Sequence, residues 1–374
     1  MIPKKGDSCM RHINDLSDLT MEEFRELYKL TSNIIDRPEG YADACRGKVL
    51  GSLFYEPSTR TNLSFSTAMI RLGGSVVGFN NPSSSSAAKG ESLKDTICMV
   101  SNYADLIVMR NPNEGAAKAA SMFSEVPVIN AGDGGHLHPT QTLADMTTIL
   151  RLRGSADNMK IGICGDLKYG RTVHSLIHFL ANYENVQFYL ISPRELAIPE
   201  YLRQFMKSHK MKFFEIAGLE PVLPMLDVLY MTRIQRERFP SIEEYYSLKG
   251  IYCLTAAKLR NAKKDLLVMH PLPRVDEIAQ DVDDDPRAVY FDQARYGMYA
   301  RMALILTLLR QGRQRMPKSV KGLKNMRCTN PKCITRSETY LPIRTHHTEQ
   351  GERCLYCDQI VAPHFARRFD DMGY

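Results

Sequence analysis

The chain contains, at residues 48–72, the sequence KVLGSLFYEPSTRTNLSFSTAMIRL. Residues 48–54 form an apolar run that predicts a buried strand, and the apolar spacing from Thr61 to Leu72 predicts a helix. Runs of this kind alternate with helix-period segments over most of the 374 residues. Such alternation is typical of parallel α/β units, so we predict an α/β protein with two doubly wound parallel-sheet domains.

The predicted strands are short apolar or β-branched runs between polar or glycine-rich segments. They cover residues 48–54, 75–79, 105–109, 126–130, 160–164, 186–191, 227–231 and 266–269. A helix from Thr140 to about Arg153, with a threonine start and Gly154 as its stop, is expected to join the two halves. The expected domains are residues 1–150, completed by a helix over 293–311, then 151–292, a linker over 312–325 and a small domain over 326–374.

Composition excludes several classes of protein. The chain is 44% hydrophobic and 24% charged, close to the globular average, so general disorder is not expected. No apolar run is long enough to span a membrane, and no apolar signal segment follows the first lysines. Nine cysteines, five of them isolated in sequence, argue against a secreted disulfide framework. We therefore expect a cytoplasmic protein.

The loop 54–61, FYEPSTRT, follows a predicted strand and opens a helix. Backbone N–H groups of the first helical turn, the hydroxyls of Ser58 and Thr59 and the guanidinium of Arg60 would converge there, as a tetrahedral dianion requires. A lone Ser-Thr pair is more often only a helix cap. Arg60 favours the anion site, because a cation in the first turn opposes the helix dipole unless an anion lies nearby.

Two further residues of the first half lie at strand ends. His138 follows the segment Gly132–Gly135, where a neutral imidazole at a helix N-terminus would donate a hydrogen bond to a carbonyl oxygen. A histidine before a proline is otherwise often a turn residue. Arg110 ends the strand over 105–109, and open α/β sheets bind ligands beyond the carboxyl ends of their strands. A solvated surface arginine is the alternative.

The second half has similar features. Residues 165–172, GDLKYGRT, have the spacing of a P-loop, but Arg171 stands where that loop needs a lysine. A carboxylate ligand therefore fits better than a nucleotide, and an ATP-dependent kinase or NTPase is the rival enzyme class. Arg233 ends another strand. In the sequence 269–274, MHPLPR, two prolines prevent a helix, which leaves carbonyl groups available to an amine.

Together, Arg60, Arg110 and His138 suit a phosphate next to a carbonyl group, whereas Arg171 and Arg233 suit a dicarboxylate. No Cys/His or Ser/His pair stands out as a nucleophile, and no carboxylate cluster suggests a catalytic metal. The residues therefore predict direct transfer between two bound substrates, without a covalent intermediate.

At these motifs the sequence resembles the aspartate carbamoyltransferase family over about residues 10–310. The resemblance rests on 58–61 (STRT), 138–141 (HPTQ), 165–171 (GDLKYGR) and 270–274 (HPLPR). Related ornithine enzymes carry a cysteine where this chain has Pro271. The resemblance implies transfer of the carbamoyl group of carbamoyl phosphate to the α-amine of L-aspartate, which gives N-carbamoyl-L-aspartate and phosphate in de novo pyrimidine (UMP) biosynthesis.

The resemblance also implies roles for individual residues. Catalytic roles are expected for His138, Arg60, Thr61, Arg110 and Lys89. Carbamoyl phosphate would be bound by Ser58, Thr59, Arg60, Thr61, Ser85, Lys89, Arg110, His138, Gln141, Pro271 and Leu272. Aspartate would be bound by Lys89, Arg171, Arg233, Gln235, Pro271 and Leu272. In this family the serine and lysine matched by Ser85 and Lys89 reach a neighbouring subunit's site, which implies a homotrimer with shared active sites.

The C-terminal cysteines form a separate motif. Cys328 and Cys333 make a CxxxxC pair, and Cys354 and Cys357 make a CxxC pair. Four thiolates on two tight turns predict one closed, structural Zn²⁺ site per chain, in a small zinc-ribbon-like domain that would hardly fold without it. Chance clustering and disulfides are the alternatives. No organic cofactor is expected.

The tail is also basic, with twelve Lys/Arg against six Asp/Glu from Gln311 onward. Alone, a basic zinc ribbon would suit nucleic acid, which is the non-enzymatic rival. Fused here, it resembles the zinc domain of the aspartate carbamoyltransferase regulatory chain, which docks on catalytic chains. The resemblance thus implies a built-in domain for assembly, and two trimers joined through zinc domains are a further expected assembly. We expect no nucleotide-binding regulatory domain, and neither nucleic acid nor membrane as a partner.

Overall fold

The computed structural model describes residues 12–81, 86–234, 241, 243, 246, 250–310, 312–313, 322–323, 326–348 and 351–363. The chain forms two compact units. Unit 1 comprises Met1–Asn14, Asp43–His136 and Ile305–Tyr374, and unit 2 comprises Asp15–Ala42 and Leu137–Leu304. Across the described residues, the helices are all too short or too polar to cross a bilayer.

The helices of the described residues are, in chain order, α1 Met21–Asp36, α2 Thr59–Arg71, α3 Leu93–Tyr103, α4 Ala116–Ser121, α5 Pro139–Arg153, α6 Arg171–Leu180, α7 Glu200–Ser208, α8 Ala256–Leu259, α9 Tyr290–Leu309 and α10 Ile334–Ser337. The strands are β1 Val49–Phe54, β2 Ser75–Phe79, β3 Leu106–Asn111, β4 Val128–Asp133, β5 Lys160–Cys164, β6 Gln187–Ile191, β7 Lys212–Ile216, β8 Val228–Met231, β9 Leu267–Met269, β10 Met326–Cys328, β11 Thr345–Thr348, β12 Gly351–Cys354 and β13 Val361–Pro363.

Each unit is built on one parallel sheet. Unit 1 has the strand order β2-β1-β3-β4, and unit 2 has the order β7-β6-β5-β8-β9. All pairs in both sheets are parallel. The order reverses between β1 and β3 and between β5 and β8. At such a reversal the loops after neighbouring strands diverge, and open α/β sheets bind their ligands there.

These sheets confirm the predicted α/β class with two doubly wound domains. Each of the eight predicted strands is present, but the sequence analysis missed β7. This strand reads KFFEI, and three of its five residues are exposed at the sheet edge. An edge strand needs no continuous apolar run, so the signal that identifies the buried strands is absent.

Local chemistry explains where the helices start. α1 has a complete capping box, in which Thr20 and Glu23 exchange hydrogen bonds, and its buried Phe24, Leu27 and Ile34 recur at helical spacing. In α3 the side chain of Ser92 caps the N-terminus. Both helices therefore satisfy their N-termini with their own side chains.

The C-terminal residues 326–363, called the zinc module after the metal that the sequence predicts there, contain two small antiparallel strand pairs, β10 with β13 and β11 with β12. Within unit 1, the module and helices α3 and α4 share one hydrophobic core. Its members include Leu93, Ile97, Ala116, Ala120, Ile334, Leu341, Tyr356 and Val361. The module thus buries its apolar side against the same domain that carries β1 and β3.

Glycine permits the closest part of this contact. Gly115 has a φ of +82°, and a Cβ atom at this position would lie 2.5 Å from the Cβ of Tyr356 and 2.6 Å from its carbonyl carbon. Tyr356 is almost fully buried, with 1% of its surface exposed. A side chain at position 115 would be strained by the backbone conformation and would overlap the module.

Candidate functional site

Helices α2, α5 and α6 begin after the carboxyl ends of parallel strands and carry no side-chain cap, a feature that the six-residue α4 shares. The N-cap residues are Ser58 of α2, His138 of α5 and Gly170 of α6, and none of these helices has an acidic residue in its first turn. By contrast, α1 and α3 each have a side-chain cap and an acidic residue in the first turn. An N-terminus without a cap or an acid presents its N–H groups and positive dipole end to an external anion.

The loop before α2 is the predicted phosphate site. The side chain of Ser58 makes no capping hydrogen bond, so the structure does not support the alternative that Ser58 serves only as a helix cap. Thr59 and Arg60 are exposed, and Ser58 and Thr61 are half-buried. Hydroxyl, guanidinium and backbone N–H donors therefore lie along one accessible helical turn.

Arg110 lies beside this loop. It is the penultimate residue of β3, which pairs with β1, and its carbonyl accepts a hydrogen bond from the Tyr55 N–H at 2.8 Å. Its Nε donates to Glu56 Oε1 at 2.6 Å, with 13% of the arginine side chain exposed. The structure thus brings Arg110 and the loop 55–61 together at the strand-order reversal of unit 1. Sequence reasoning missed Glu56, although an acid in an anion-binding loop is a signal for a paired arginine.

Two predicted residues fall outside the part of the chain that the structure describes. These are Ser85 and Gln235. Lys89 is described, is exposed and ends a single 3-10 turn, Ser86–Lys89. The roles of these three residues stay predictions.

His138 and Gln141 open α5 in unit 2. His138 is buried, with 6% of its surface exposed, and the Nε2 of Gln141 donates to Asp145 Oδ1 at 2.8 Å. With one N–H of its amide donating to Asp145, the Gln141 side chain still has Oε1 as an acceptor and its second N–H as a donor. This orientation suits an amide donor, such as a carbamoyl NH2 group.

Asp145 is the centre of a buried network that sequence reasoning missed. Besides Gln141, its fully buried carboxylate accepts hydrogen bonds from Gln293 Nε2 at 2.6 Å and Tyr230 Oη at 2.9 Å. Burial raises the pKa of Asp145 to about 7, against the opposing effect of these donors and of the Arg301 charge. The feature that could have identified Asp145 is its position as an acidic residue inside α5, where almost all neighbouring residues are buried.

The network continues to the loop after β9. Gln293 Oε1 accepts the His270 N–H at 3.0 Å, and His270 Nδ1 accepts the Leu272 N–H at 2.7 Å. The proton of His270 must therefore be on Nε2, which donates to Glu277 at 2.6 Å. Burial would raise the pKa of Glu277, but the hydrogen bonds from His270 and from backbone N–H groups outweigh it and lower the pKa. The carbonyls of Pro271 and Leu272 take no part in these bonds.

Arg171 and Arg233 lie on two loops that are bonded to each other. Arg171 is the first residue of α6 after β5, and Arg233 follows β8, the neighbour of β5. The Thr232 N–H donates to the Cys164 carbonyl at 2.8 Å, and Thr232 Oγ1 accepts the Asp166 N–H at 2.9 Å. The structure thus places both half-buried arginines at the strand-order reversal of unit 2.

The four C-terminal cysteines converge. All are buried, and their Sγ atoms lie within 4.8 Å of one another. Cys328 and Cys357 are 3.5 Å apart, and Cys333 and Cys354 are 3.8 Å apart. A disulfide needs about 2.05 Å, whereas a tetrahedral Zn²⁺ with bonds of about 2.3 Å separates its sulfurs by about 3.8 Å. Among the described residues, this is the one cluster of three or more potential ligands.

Sequence models of three families match the chain in succession. They are "Aspartate/ornithine carbamoyltransferase, carbamoyl-P binding domain" over residues 11–151, "Aspartate/ornithine carbamoyltransferase, Asp/Orn binding domain" over 157–308, and "Aspartate carbamoyltransferase regulatory chain, metal binding domain" over 318–364. The chain is 56% identical over 299 residues to the "Aspartate carbamoyltransferase catalytic subunit" of Clostridium kluyveri. The aligned region covers 80% of this chain and 98% of the relative. The chain belongs to the aspartate carbamoyltransferase family.

Further relatives agree with this assignment. The subunit of the same name from Clostridium botulinum is 58% identical over 300 residues, with 80% of this chain and 98% of the relative covered. The catalytic subunit of M. jannaschii aspartate transcarbamoylase superposes with a TM-score of 0.76 at 48% identity, covering 80% of this chain and 98% of that one. The Trypanosoma cruzi aspartate transcarbamoylase in complex with N-(phosphonacetyl)-L-aspartic acid gives a TM-score of 0.74 at 39% identity, with 80% and 96% covered.

These findings confirm the resemblance inferred from the sequence motifs. The protein is an aspartate carbamoyltransferase in which the two catalytic domains are followed, in the same chain, by a metal-binding domain of the regulatory-chain type. The four buried cysteines lie inside the third matched region, so the donor set of the metal centre comes from that domain.

Proposed function

We propose that the protein transfers the carbamoyl group of carbamoyl phosphate to the α-amine of L-aspartate, and that the products are N-carbamoyl-L-aspartate and phosphate in pyrimidine biosynthesis. One observation carries the proposal. Helices α2, α5 and α6 start after parallel strands without a side-chain cap or an acid, and arginines lie at both strand-order reversals. Such sites attract anions, and both substrates are anionic.

Carbamoyl phosphate would bind to the loop before α2. The phosphate would accept hydrogen bonds from N–H groups of the first turn, from the side chains of Ser58, Thr59 and Thr61, and from Arg60. Ser85 and Lys89 of a neighbouring subunit would complete the phosphate site. Arg110, held at its Nε by Glu56, would direct the rest of its guanidinium at the carbonyl oxygen.

The carbonyl group would be polarised by His138, Thr61 and Arg110. Each donor becomes more effective as negative charge develops on the oxygen, and loss of one such donor typically costs about 3 kcal/mol of transition-state stabilisation. Gln141 would accept from the carbamoyl NH2 group, because Asp145 holds its nitrogen. The carbamoyl group would then be fixed at both its oxygen and its nitrogen.

Aspartate would bind to residues of unit 2. Arg171, Arg233 and Gln235 would hold its two carboxylates, and Lys89 would contribute further charge. The carbonyls of Pro271 and Leu272 would accept from the α-amine, whose lone pair attacks the carbonyl carbon. The tetrahedral intermediate would collapse as the carbon–oxygen bond to phosphate breaks, and the leaving phosphate would take the amine proton. Proximity alone supplies about 7–11 kcal/mol, so a covalent intermediate is unnecessary.

The remaining predictions concern metal, assembly and location. Thiolate donors at tetrahedral separations favour Zn²⁺, which would hold the two cysteine pairs together as a structural ion. We propose a homotrimer with shared active sites, with zinc domains joining two trimers, in the cytoplasm. We also propose domain limits of 1–150 with 293–311, 151–292, and 326–374 after a linker.

A carbamoyl-transfer assay tests the function. The purified chain should use aspartate and not ornithine, since a second carboxylate is what two arginines of unit 2 would recognise. Arg60→Ala should reduce transfer by at least about a hundredfold, whereas Arg46→Ala, which alters another exposed arginine of unit 1, should leave it unchanged. Carbamoylation of ornithine at an equal rate, or full activity in Arg60→Ala, would reject the proposal.

A further inference from the structure

The loop that leads to His138 is attached to the zinc module. This loop, residues 132–136, contains Gly132 and Gly134 with φ values of +122° and +54°. The Gly134 N–H donates to the Asn111 carbonyl at 2.9 Å, directly after Arg110 in the chain. The loop is therefore linked to two residues of the proposed carbamoyl phosphate site. It is hydrogen-bonded to Asn111, the neighbour of Arg110, and it leads along the chain to His138.

His136 joins this loop to the module. Its Nδ1 lies 3.1 Å from Asp133 Oδ2, and its Nε2 lies 2.9 Å from Oδ2 of Asp358, which follows the metal ligand Cys357. A neutral imidazole donates from one nitrogen only, so two carboxylate partners require the imidazolium. Burial would lower the pKa of His136, but Asp133 and Asp358 outweigh it and raise the pKa to about 10.

The turn that carries the first cysteine pair makes a second contact with the loop, through Glu114. Glu114 Oε1 accepts the Gly135 N–H at 3.3 Å, and its Oε2 accepts from Asn330 Nδ2 at 2.7 Å. The backbone of Glu114 also bonds to Lys332 and Ile334, on either side of Cys333. One turn of the module thus holds the loop through Glu114, and the other turn holds it through Asp358.

We propose that His136 and Asp358 are positioning residues, through which the zinc module holds the loop 132–136 in the shape that carbamoyl transfer requires. The inference rests on the proposed function. Because the metal would hold the two cysteine turns at a set distance, it also sets the distance between the two anchors of the loop. The module is then a part of the catalytic apparatus of its own chain in addition to any role in assembly.

A double-mutant cycle tests the link. His136→Ala and Asp358→Ala should each lower kcat by about tenfold or more. The double variant should be no worse than the more impaired single variant, because the contact between His136 and Asp358 is lost in every case. The KM for aspartate should stay near the wild-type value. The control cycle is His347→Ala with Glu352→Ala, an exposed ion pair of 3.2 Å in the same module, which should leave kcat unchanged.

Hydrogen exchange supplies a measurement that does not depend on activity. The amides of Gly134 and His136, which donate to Asn111 and Asp133, should exchange faster in Asp358→Ala while zinc content stays at one per chain. If Asp358→Ala loses zinc, His136→Ala decides the question, because its change lies outside the module.

Two results would overturn the inference: additive effects of the two substitutions on kcat, or loop amides whose exchange is the same in the variants and the wild type. Wild-type protein without any transfer activity would instead refute the proposed function, and the exchange comparison would still show whether the module holds the loop.

Discussion

Substitution of Gly115 by alanine tests the docking of the zinc module on unit 1. Gly115 has a φ of +82°, and an added Cβ would lie 2.5–2.7 Å from the Cβ, carbonyl carbon and carbonyl oxygen of Tyr356. The left-handed backbone costs an alanine about 1–2 kcal/mol, and overlap with a buried backbone typically costs about 1–3 kcal/mol more. We therefore expect Gly115→Ala to lower the free energy of unfolding of unit 1 by about 2–5 kcal/mol.

Gly47→Ala is the matched control. Gly47 has a φ of +75° in the same unit, and a Cβ atom there would meet nothing within 4 Å. It measures the backbone cost alone, about 1–2 kcal/mol. Urea unfolding of the zinc-loaded proteins should separate the two variants, and limited proteolysis should cut the module of Gly115→Ala faster. If both variants lose the same stability and resist proteolysis equally, Tyr356 does not pack against Gly115 and the docked arrangement is wrong.

Three further predictions concern the site and the metal. Gln141→Ala should weaken carbamoyl phosphate binding about tenfold, measured by calorimetry, because one hydrogen bond to the carbamoyl amide is lost; unchanged affinity would contradict this role. Burial raises the pKa of Asp145 from 3.8 to about 7, so the folded state binds more protons than the unfolded state between these values. The free energy of unfolding should therefore fall as pH rises from 3.8 to about 7, and Asp145→Asn should remove that part of the slope; an equal slope in both proteins would show that Asp145 does not titrate in this range. Cys357→Ser should lower the zinc content measured by atomic absorption and destabilise the module, since three thiolates and a hydroxyl form a poorer Zn²⁺ site; full zinc occupancy with wild-type stability would exclude Cys357 as a ligand.

Much of the site was predictable because its chemistry is local. The loop 55–61, the segment 165–171 and the cysteine pairs each place their functional groups within a few residues of one another. Helix N-termini bind anions through adjacent backbone N–H groups, and metal-binding turns need only two nearby cysteines. Each of these sites could therefore be inferred without knowledge of how the chain packs.

The partners of these residues were not predictable in the same way. Glu56 holds Arg110 across 54 residues, Gln293 meets Asp145 across 148 residues, and Asp358 meets His136 across 222 residues. A lone acid or amide in a sequence has many possible partners, and only packing selects one. The edge strand β7 was missed for a related reason, since its hydrogen bonds to β6 define it more than its composition does.

The amino-acid sequence alone thus determined the α/β class, the four-cysteine cluster and the resemblance to a transferase family, and it predicted the anion sites at helix N-termini. Each of these follows from periodicity or from the short-range spacing of reactive groups. The tertiary structure alone decided the strand order, the Asp145 network and the docking of the zinc module on α3 and α4. These depend on groups that only a folded chain brings within hydrogen-bonding and van der Waals distance, because burial and shape complementarity choose among many equivalent partners.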